Sequence, residues 1–581
     1  MNITILSGGT GNDSLVTGLK QFYSDANIKV VVNAYDNGKS TGICRTITNT
    51  LGVSDIRKNH IRMYKATAEI PDQRLIEFFE NRYDLTPGEE YVDVSKYLRL
   101  WGLPQLDKYA QAFFSNPLAK HYTYASFNIA NIIYSQMYKE LGYEETNKYF
   151  CNLLGIDDFV ILNSFDNIFI GAITEHGNIL NDEGVIVDYR TTGDPIVKLT
   201  YDYSQGDCVH GLNRKAVEAV LDADILIIST GTFWSSIYPT LEYLNFYSYV
   251  NLSKARKIWA INNEEDGDSY GVNSHMFIEY MNSLGLKLND FTILENYDAT
   301  ESLRFTNDVV TYDVRWRHMG NNNGKHDGQK FVKAILQIFY NLRTFDSYDK
   351  IIFDFDDTLW SRKPELLSYS VENIKLLNNH PDKYLIISGN SYKSIHDKLS
   401  IIYGTDLSDF NVDMWVDANT TLYRHAKPVE YYNDIILNEY YTDIVEQLKN
   451  WTISDVEIND PEHPAYIKIK PLSELERTLL VNLLDATILC NSEISTPGST
   501  LYHAKAIPSG FTTIDIIHEN NSKGKLFEYI KEDLGGNNIL YLGDEFDSGN
   551  DRDIAKMCKQ AICVRSAKET NIILKLLEAE I

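Results

Sequence analysis

The stretch Ile351-Ile-Phe-Asp-Phe-Asp-Asp-Thr-Leu359 decides how this chain is read. A short apolar run ends in two carboxylates, Asp354 and Asp356, and Thr358 follows two residues later. A run of this kind, without polar alternation, reads as a parallel strand covered on both faces. Open α/β sheets bind ligands beyond the carboxyl ends of their strands, where these carboxylates would emerge. Residues two apart on a strand point the same way. Asp354 and Asp356 can therefore serve one reaction centre, one attacking and the other handling the proton.

Three further pieces follow in the order a phosphoryl-transfer site needs. Ser388 closes the run Tyr384-Leu-Ile-Ile-Ser388. Lys523 stands in Asn521-Ser-Lys-Gly-Lys525, ahead of a helical segment. Gly543-Asp-Glu-Phe-Asp-Ser-Gly-Asn-Asp551 closes the run Ile539-Leu-Tyr-Leu542. A carboxylate that attacks phosphorus forms an aspartyl phosphate and splits one hard step into two. It must be ionised, as free Asp is above a pKa of about 3.9. Like charge raises the pKa of the second carboxylate, which then carries the proton to the leaving oxygen. Mg²⁺ takes hard oxygen ligands, and Asp544 and Asp551 supply them. Ser388 and Lys523 complete a clamp on the phosphoryl oxygens. Singly, each piece has an ordinary reading as an acidic turn, a surface lysine or a helix cap. In order, on matching strand ends, they point to phosphoryl transfer.

The clearest break in the chain lies near residues 344–349, where a helical stripe of Phe331, Ile335, Ile338 and Leu342 ends and the Ile351 strand starts afresh. Upstream, short apolar runs at Ile3–Ser7, Ile28–Asn33, Phe159–Asn163, Ile225–Ser229 and Ile258–Asn262 each close on small or polar residues and alternate with helical segments. That is the pattern of a parallel sheet wrapped by helices. Residues 60–150 read as a mostly helical, aromatic insert. Downstream, a segment of mixed character follows Ser388, with a helix expected around Asn433–Trp451 and a strand at Ala465–Ile469. The expected organisation is a first domain at 1–346, a core at 347–392 and 506–581, and a cap domain at 393–505.

The chain has 581 residues, 44% of them hydrophobic, and a formal net charge of −27. That charge argues against nucleic acid, whose phosphates need Lys and Arg, while leaving room for a small anion in a local pocket. The six cysteines, Cys44, Cys151, Cys208, Cys490, Cys558 and Cys563, form no CxxC pair and read as reduced core residues of a cytoplasmic protein. No signal peptide is expected at Met1–Ser7, and no apolar stretch approaches the roughly 18 residues of a membrane span.

The first half opens with a strand, then Gly8-Gly-Thr-Gly11, then a helical segment. Glycines let the backbone approach a phosphate, and a helix start offers free N–H groups. A second loop, Asn33-Ala-Tyr-Asp-Asn-Gly-Lys-Ser-Thr-Gly42, carries one carboxylate and small residues, with cations at Lys39 and Arg45, and Ser54-Asp-Ile-Arg57 follows. A third cluster, Ser229-Thr-Gly-Thr-Phe-Trp-Ser-Ser-Ile-Tyr-Pro239, again follows a strand. Hydroxyls and glycines at three strand ends can ring an anionic ligand, and ordinary loop chemistry accounts for them equally well.

The second half resembles the haloacid dehalogenase (HAD) phosphatases. Its GDxxxxGND form and long insert are similar to members with a large α/β cap, such as phosphomannomutase and sucrose-phosphatase. The resemblance implies that Asp354 is the nucleophile and Asp356 the acid/base. Ser388 and Lys523 take the motif serine and lysine positions, with Lys525 and Lys505 as rivals for the lysine. The metal set becomes Asp354, Asp356, Asp544 and Asp551. Trp415-Val-Asp-Ala-Asn-Thr-Thr-Leu-Tyr423 stands where that branch often carries an Asn-Gly pair, and the glycine is absent.

The first half resembles the phospholactate transferase and gluconeogenesis-factor family (CofD and YvcK). The resemblance implies a nucleotide site made of Gly8, Gly9, Thr10, Gly11, Asp36, Asn37, Ser40, Asp55, Arg57, Asn131, Thr230, Gly231 and Thr232. Asn262 and His326-Asp327 fit the family's last segments. Tyr35 stands where the gluconeogenesis factors carry a first Asp, so Asp36 would act alone on a metal. Transferases of the family move a phosphorylated fragment from a guanosine diphosphate donor with Mg²⁺, and its gluconeogenesis factors bind nucleotide sugars as regulators. Self-association is also a family habit.

The expected fold class is α/β, with two Rossmann-like parallel-sheet domains. The first carries the helical insert and the second is a HAD core with an inserted α+β cap. The expected function is bifunctional: a transferase using a nucleotide diphosphate, fused to a Mg²⁺-dependent phosphatase for a small phosphorylated metabolite. The alternative is a nucleotide-sugar-binding regulator that controls a phosphatase or phosphomutase.

Overall fold

The apolar runs of the first half become the rungs of a single parallel sheet. A computed structural model describes the chain apart from residues 10–11, 191–192, 204–210, 263, 297–314, 317–325, 418, 426, 432–454, 459–465, 471–474, 476, 485–503, 510–512, 537, 548–549 and 579–581. Two units result, Met1–Asn341 and Leu342–Glu580, dividing a few residues ahead of the expected boundary. The first unit contains β1 (Asn2–Leu6), β2 (Asn27–Val32), β3 (Val160–Leu162), β4 (Phe169–Thr174), β5 (Ile179–Leu180), β6 (Ile196–Asp202), β7 (Ile225–Ile228), β8 (Arg256–Ala260), β9 (Phe291–Asn296) and β10 (Arg315–Trp316).

The main sheet of this unit runs β10-β9-β8-β7-β1-β2-β3, and all of its neighbours are parallel. The chain winds outward from β1 in both directions. The topological switch point therefore lies at the carboxyl ends of β1 and β7, where such sheets bind ligands. Between β2 and β3 the crossover swells into helices, among them Ser54–Thr67, Gln73–Glu80, Glu90–Leu100, Asp107–Phe114 and Ile129–Leu154. Aromatic packing holds this insert together: Phe78, Phe79, Phe113 and Tyr134 are fully buried, and Tyr134 stacks on Phe150 at 3.8 Å between ring centroids. A second, antiparallel sheet of order β5-β4-β6 was not foreseen. The expected stripe becomes the helix Gly328–Tyr340, which ends on Asn341 in the left-handed region.

The second unit contains β11 (Lys350–Phe353), β12 (Tyr384–Ile387), β13 (Asp413–Val416), β14 (Thr421–Arg424), β15 (Lys427–Tyr431), β16 (Asp455–Ile458), β17 (Tyr466–Lys470), β18 (Ala504–Ser509), β19 (Thr513–His518), β20 (Ile539–Gly543) and β21 (Gln560–Cys563). The core sheet runs β15-β14-β13-β12-β11-β20-β21, parallel from β13 to β21. Ile351, Ile352 and Phe353 are fully buried, as a central strand with both faces covered requires. A separate antiparallel sheet runs β16-β17-β19-β18.

These pairings correct the expected cap boundaries of 393–505. The helix Tyr392–Tyr403 follows β12, and β13 pairs with β12 directly. β14 and β15 then extend the core sheet as an antiparallel meander. At the other end, β18 and β19 pair along their whole length in the second sheet, so the core does not resume at 506. The expected helix around Asn433–Trp451 lies outside the described residues. Of the cysteines, Cys44, Cys151 and Cys558 are buried thiols, Cys563 is exposed, and Cys208 and Cys490 lie outside the described residues. No helix among the described residues is long and apolar enough to cross a membrane.

Arg45, read from sequence as a cation for a ligand, is a structural cross-link instead. Its guanidinium is buried and donates to the carbonyls of Tyr35, Asp36 and Ile168 and to Asn167 Oδ1. It also lies 4.0 Å above the Phe169 ring. One side chain thus joins the loop after β2 to the start of β4. Arg45→Ala leaves several buried acceptors unpaired, so the first unit should lose on the order of 3 kcal/mol. Urea unfolding followed by first-unit tryptophan fluorescence checks this; an unchanged midpoint would contradict the cross-link.

Candidate functional site

In the second unit the strand ends deliver the chemistry. β11 and β20 are parallel neighbours, with Phe353 opposite Leu542, so Asp354 and Asp544 emerge side by side. Asp551 precedes the helix Arg552–Met557 and makes no capping bond with its side chain, which leaves its carboxylate facing the strand tips. One ligand atom from each of Asp354, Asp544 and Asp551 lies within 4.8 Å of the others, the one such group among the described residues. Lys523 opens the helix Lys523–Leu534, whose cap is the Ser522 hydroxyl. Its buried ammonium lies 2.5 Å from Asp354 Oδ1 and 2.6 Å from Asp551 Oδ1. Tyr541 OH donates to the same Asp551 oxygen at 2.6 Å.

The electrostatics follow from that packing. Burial works against the Lys523 charge, but Asp354 and Asp551 outweigh it and raise its pKa, so the ammonium persists. Burial pushes Asp354 well above the usual carboxylate range; Lys523 opposes the shift, while Asp551 and Asp544 add to it. Burial and then Asp551 push Asp544 up to about 7. A hard divalent cation would relieve this like-charge crowding, and the donor set is all oxygen. Asp551 Oδ2 is buried without a hydrogen-bond partner among the described residues. A Cβ added to Gly543 would lie 2.3 Å from that same oxygen, so glycine keeps the cradle open. The residues therefore fit Mg²⁺.

Asp356 behaves differently from expectation. Its side chain is not part of the three-carboxylate group. Its Oδ1 lies 2.5 Å from Lys398 Nζ, its Oδ2 accepts from Asn390 Nδ2 at 2.7 Å, and Arg362 approaches to 3.7 Å. Burial would raise its pKa, but Lys398, Asn390 and Arg362 outweigh it and hold the carboxyl below the usual range. The expected upward shift from like charge is thus reversed by cations drawn from elsewhere in the chain.

The other expected pieces find separate places. Ser388 is buried at the tip of β12, and its Oγ accepts from Asn390 N at 3.2 Å. Thr358 Oγ1 is 3.5 Å from Asp544. Lys525 turns to Glu528 at 2.9 Å, which leaves Lys523 as the lysine of the site; the Lys505 side chain lies outside the described residues. Asn419 adopts positive φ in the turn between β13 and β14, and its amide donates to the Asn521 carbonyl at 3.0 Å. It supports the segment that carries Lys523.

In the first unit the loops after β1 and β7 meet at the switch point. A Cβ on Gly8 would lie 2.4 Å from Ser236 Oγ, and one on Gly9 would lie 1.9 Å from Asp55 Oδ1, so only glycine fits there. Thr10 and Gly11 lie outside the described residues. Asp36 accepts from Gly38 N at 2.9 Å and from Thr41 Oγ1 at 3.3 Å. Asn131 Nδ2 donates to Ser40 Oγ at 3.0 Å, and Asn131 Oδ1 accepts from Arg57 Nε at 2.8 Å. Arg57 also donates to the Phe79 carbonyl, so it braces Asn131 from within the helical insert. Asn37 lies against Gly42, where an added Cβ would be 2.2 Å from the Asn37 carbonyl.

Glu183 is a partner the sequence did not reveal. It joins Asp36 and Asp55, and burial followed by those two charges pushes it up to about 9. Nothing local marks it, since it arrives from the antiparallel sheet's connection. Thr232 Oγ1 and Ser236 Oγ are 2.8 Å apart, and Gly231 exchanges both backbone groups with the Asn262 amide. His326 Nε2 meets the Ile261 carbonyl at 3.0 Å, and Asp327 caps the helix Gly328–Tyr340. A small pocket of about 30 Å³ lies beside Gly231, lined by Ser229, Phe233, Trp259, Asn262 and Phe277. Ser229 Oγ is buried and has no hydrogen-bond partner. Thr230 is buried next to it.

Known proteins are similar to each half of the chain. The Listeria monocytogenes serovar 1/2a gluconeogenesis factor is 24% identical over 341 residues, covering 58% of this chain and 88% of its own. The solved structure of protein BH3568 from Bacillus halodurans covers 58% of this chain and 99% of its own, with 19% identity and a TM-score of 0.42. IMP-nucleotidase of Plasmodium falciparum, solved as a point mutant with IMP bound, covers 43% of this chain and 73% of its own, with 16% identity and a TM-score of 0.31. The profile described as 2-phospho-L-lactate transferase CofD matches residues 3–331. With the two glycine loops at its switch point and that match over more than half its length, the chain belongs to the CofD family.

Proposed function

We propose that the second unit is a Mg²⁺-dependent phosphomonoesterase acting through an aspartyl phosphate on Asp354. The observation that carries this reading is the group Asp354, Asp544 and Asp551 at adjoining strand tips, with Lys523 buried among them. Asp354 Oδ attacks the phosphorus of an ester bound as its monoanion, and Asp356, ionised in the free site, relays the proton of that anion to the leaving alcohol oxygen as its P–O bond breaks. Water then attacks the phosphorus of the acyl phosphate, Asp356 takes its proton, and inorganic phosphate leaves with Asp354 restored. Lys523 and Ser388 hold the phosphoryl oxygens through both steps. Asp354, Asp544 and Asp551 would hold the Mg²⁺, which when bound supplies charge neutralisation at the phosphoryl group.

The first unit, on this reading, binds a nucleotide diphosphate or nucleotide sugar at the β1 and β7 loops and transfers a phosphorylated fragment from it. The support is the close-packed glycine loop at Gly8 and Gly9, at the switch point of the parallel sheet. A second reading, a nucleotide-sugar-binding regulator of the phosphatase, is favoured by the likeness to a gluconeogenesis factor and by the inward commitment of Arg45 and Arg57. Both readings place the protein in the cytoplasm with small phosphorylated metabolites as partners.

Two outcomes follow. With Mg²⁺, a screen of aryl, sugar, nucleotide and polyol phosphates should find turnover that chelation removes and added Mg²⁺ restores. Asp354→Asn should lower it by about 10³-fold or more while circular dichroism is unchanged, since the nucleophile itself is lost. Full activity in that variant would end the mechanism. For the first unit, calorimetry on the full chain should detect a nucleotide diphosphate or nucleotide sugar. Gly9→Val, whose side chain would collide with Asp55 and Lys58, should weaken it by about tenfold or more, since the glycine loop must shift away from its native path. Release of a nucleoside monophosphate favours the transferase, binding without turnover favours the regulator, and no binding contradicts both.

A further inference from the structure

Lys398 has no place in the chemistry described so far, yet among the described residues of the second unit it makes one of the two shortest lysine–carboxylate contacts. It projects from the helix Tyr392–Tyr403, and its Nζ lies 2.5 Å from Asp356 Oδ1 and 5.2 Å from the centroid of the Phe355 ring. The side chains of Lys398 and Asp356 are only 25% and 21% exposed. A pair so placed is screened far less than a surface ion pair. The other oxygen of Asp356 is held by Asn390, whose backbone N–H donates to Ser388 Oγ. With one oxygen on Lys398 and the other on Asn390, the carboxyl plane has a single direction.

The two aspartates of the reading thus have separate lysines from separate helices: Lys523 for Asp354 and Lys398 for Asp356. We propose that Lys398 is the positioning residue of the acid/base, fixing the Asp356 carboxylate in the direction from which it passes a proton to the leaving oxygen. The inference rests on the phosphatase reading above. Arg362 cannot substitute, because it is 3.7 Å from Asp356, also engages Asp357 at 3.4 Å, and is about half exposed.

A positioning role has a signature that a structural role lacks. Proton delivery matters in proportion to the basicity of the leaving oxygen. An alkyl alcohol needs it, whereas dinitrophenolate leaves without it. The parameter kcat/KM reports only steps up to formation of the aspartyl phosphate, so it isolates this delivery from the later attack by water. Lys398→Met should lower kcat/KM for the best alkyl phosphate of the screen by about 10²-fold, the usual scale of general acid catalysis, and for 2,4-dinitrophenyl phosphate by less than about threefold. Lys398→Arg should recover most of the alkyl activity, because it restores a cation that donates to the same oxygen.

Equal losses on both substrates, or none on either, would overturn the assignment. Failure of the parent reading looks different: there Asp354→Asn retains activity on both esters, or the wild-type chain hydrolyses neither. Either of those results removes the positioning role along with the mechanism.

Discussion

Three carboxylates converge at the tips of β11 and β20, and one buried ammonium makes that convergence tolerable. Asp354, Asp544 and Asp551 repel one another, and burial drives Asp354 and Asp544 toward protonation. Lys523, donating to Asp354 and Asp551 at once, supplies the opposite charge from the first turn of its helix. Removal of such a partner leaves uncompensated buried charge, a far larger effect than loss of a surface ion pair. The site is therefore built around an electrostatic imbalance that a bound divalent cation and a phosphoryl group would together complete.

The first unit meets a related problem with a more exposed cation: Lys58 Nζ lies 3.4 Å from Asp55 Oδ1. Asp36, Asp55 and Glu183 face a glycine loop, and the guanidinium groups nearest in sequence, Arg45 and Arg57, point inward as braces. Backbone N–H groups, hydroxyls and the Lys58 ammonium remain beside that loop.

Much of this was legible in the sequence because parallel strands are apolar runs closed by small or polar residues. β1, β2, β7, β11, β12 and β20 announce themselves in that way, and the carboxylates follow from their ends. The order Asp354, Ser388, Lys523, Asp544, Asp551 pointed to the second site, since Asp354, Ser388 and Asp544 lie at such ends while Lys523 and Asp551 stand at helix starts. What stayed hidden depended on partners far away along the chain. Lys398 reaches Asp356 across 42 residues, and Glu183 reaches the Asp36 loop from a different sheet. The cap boundary was misplaced because β13 to β15 are short, and only their hydrogen-bonded neighbours assign them to the core sheet. Arg45 and Arg57 looked like ligand cations because composition does not reveal direction.

The most direct test of the central claim is anomalous diffraction from crystals soaked in Mn²⁺, a scattering substitute for Mg²⁺. The account predicts a single strong peak in the second unit within about 2.5 Å of oxygens from Asp354, Asp544 and Asp551. A peak placed elsewhere, or none while Lys523 still bridges Asp354 and Asp551, would contradict it.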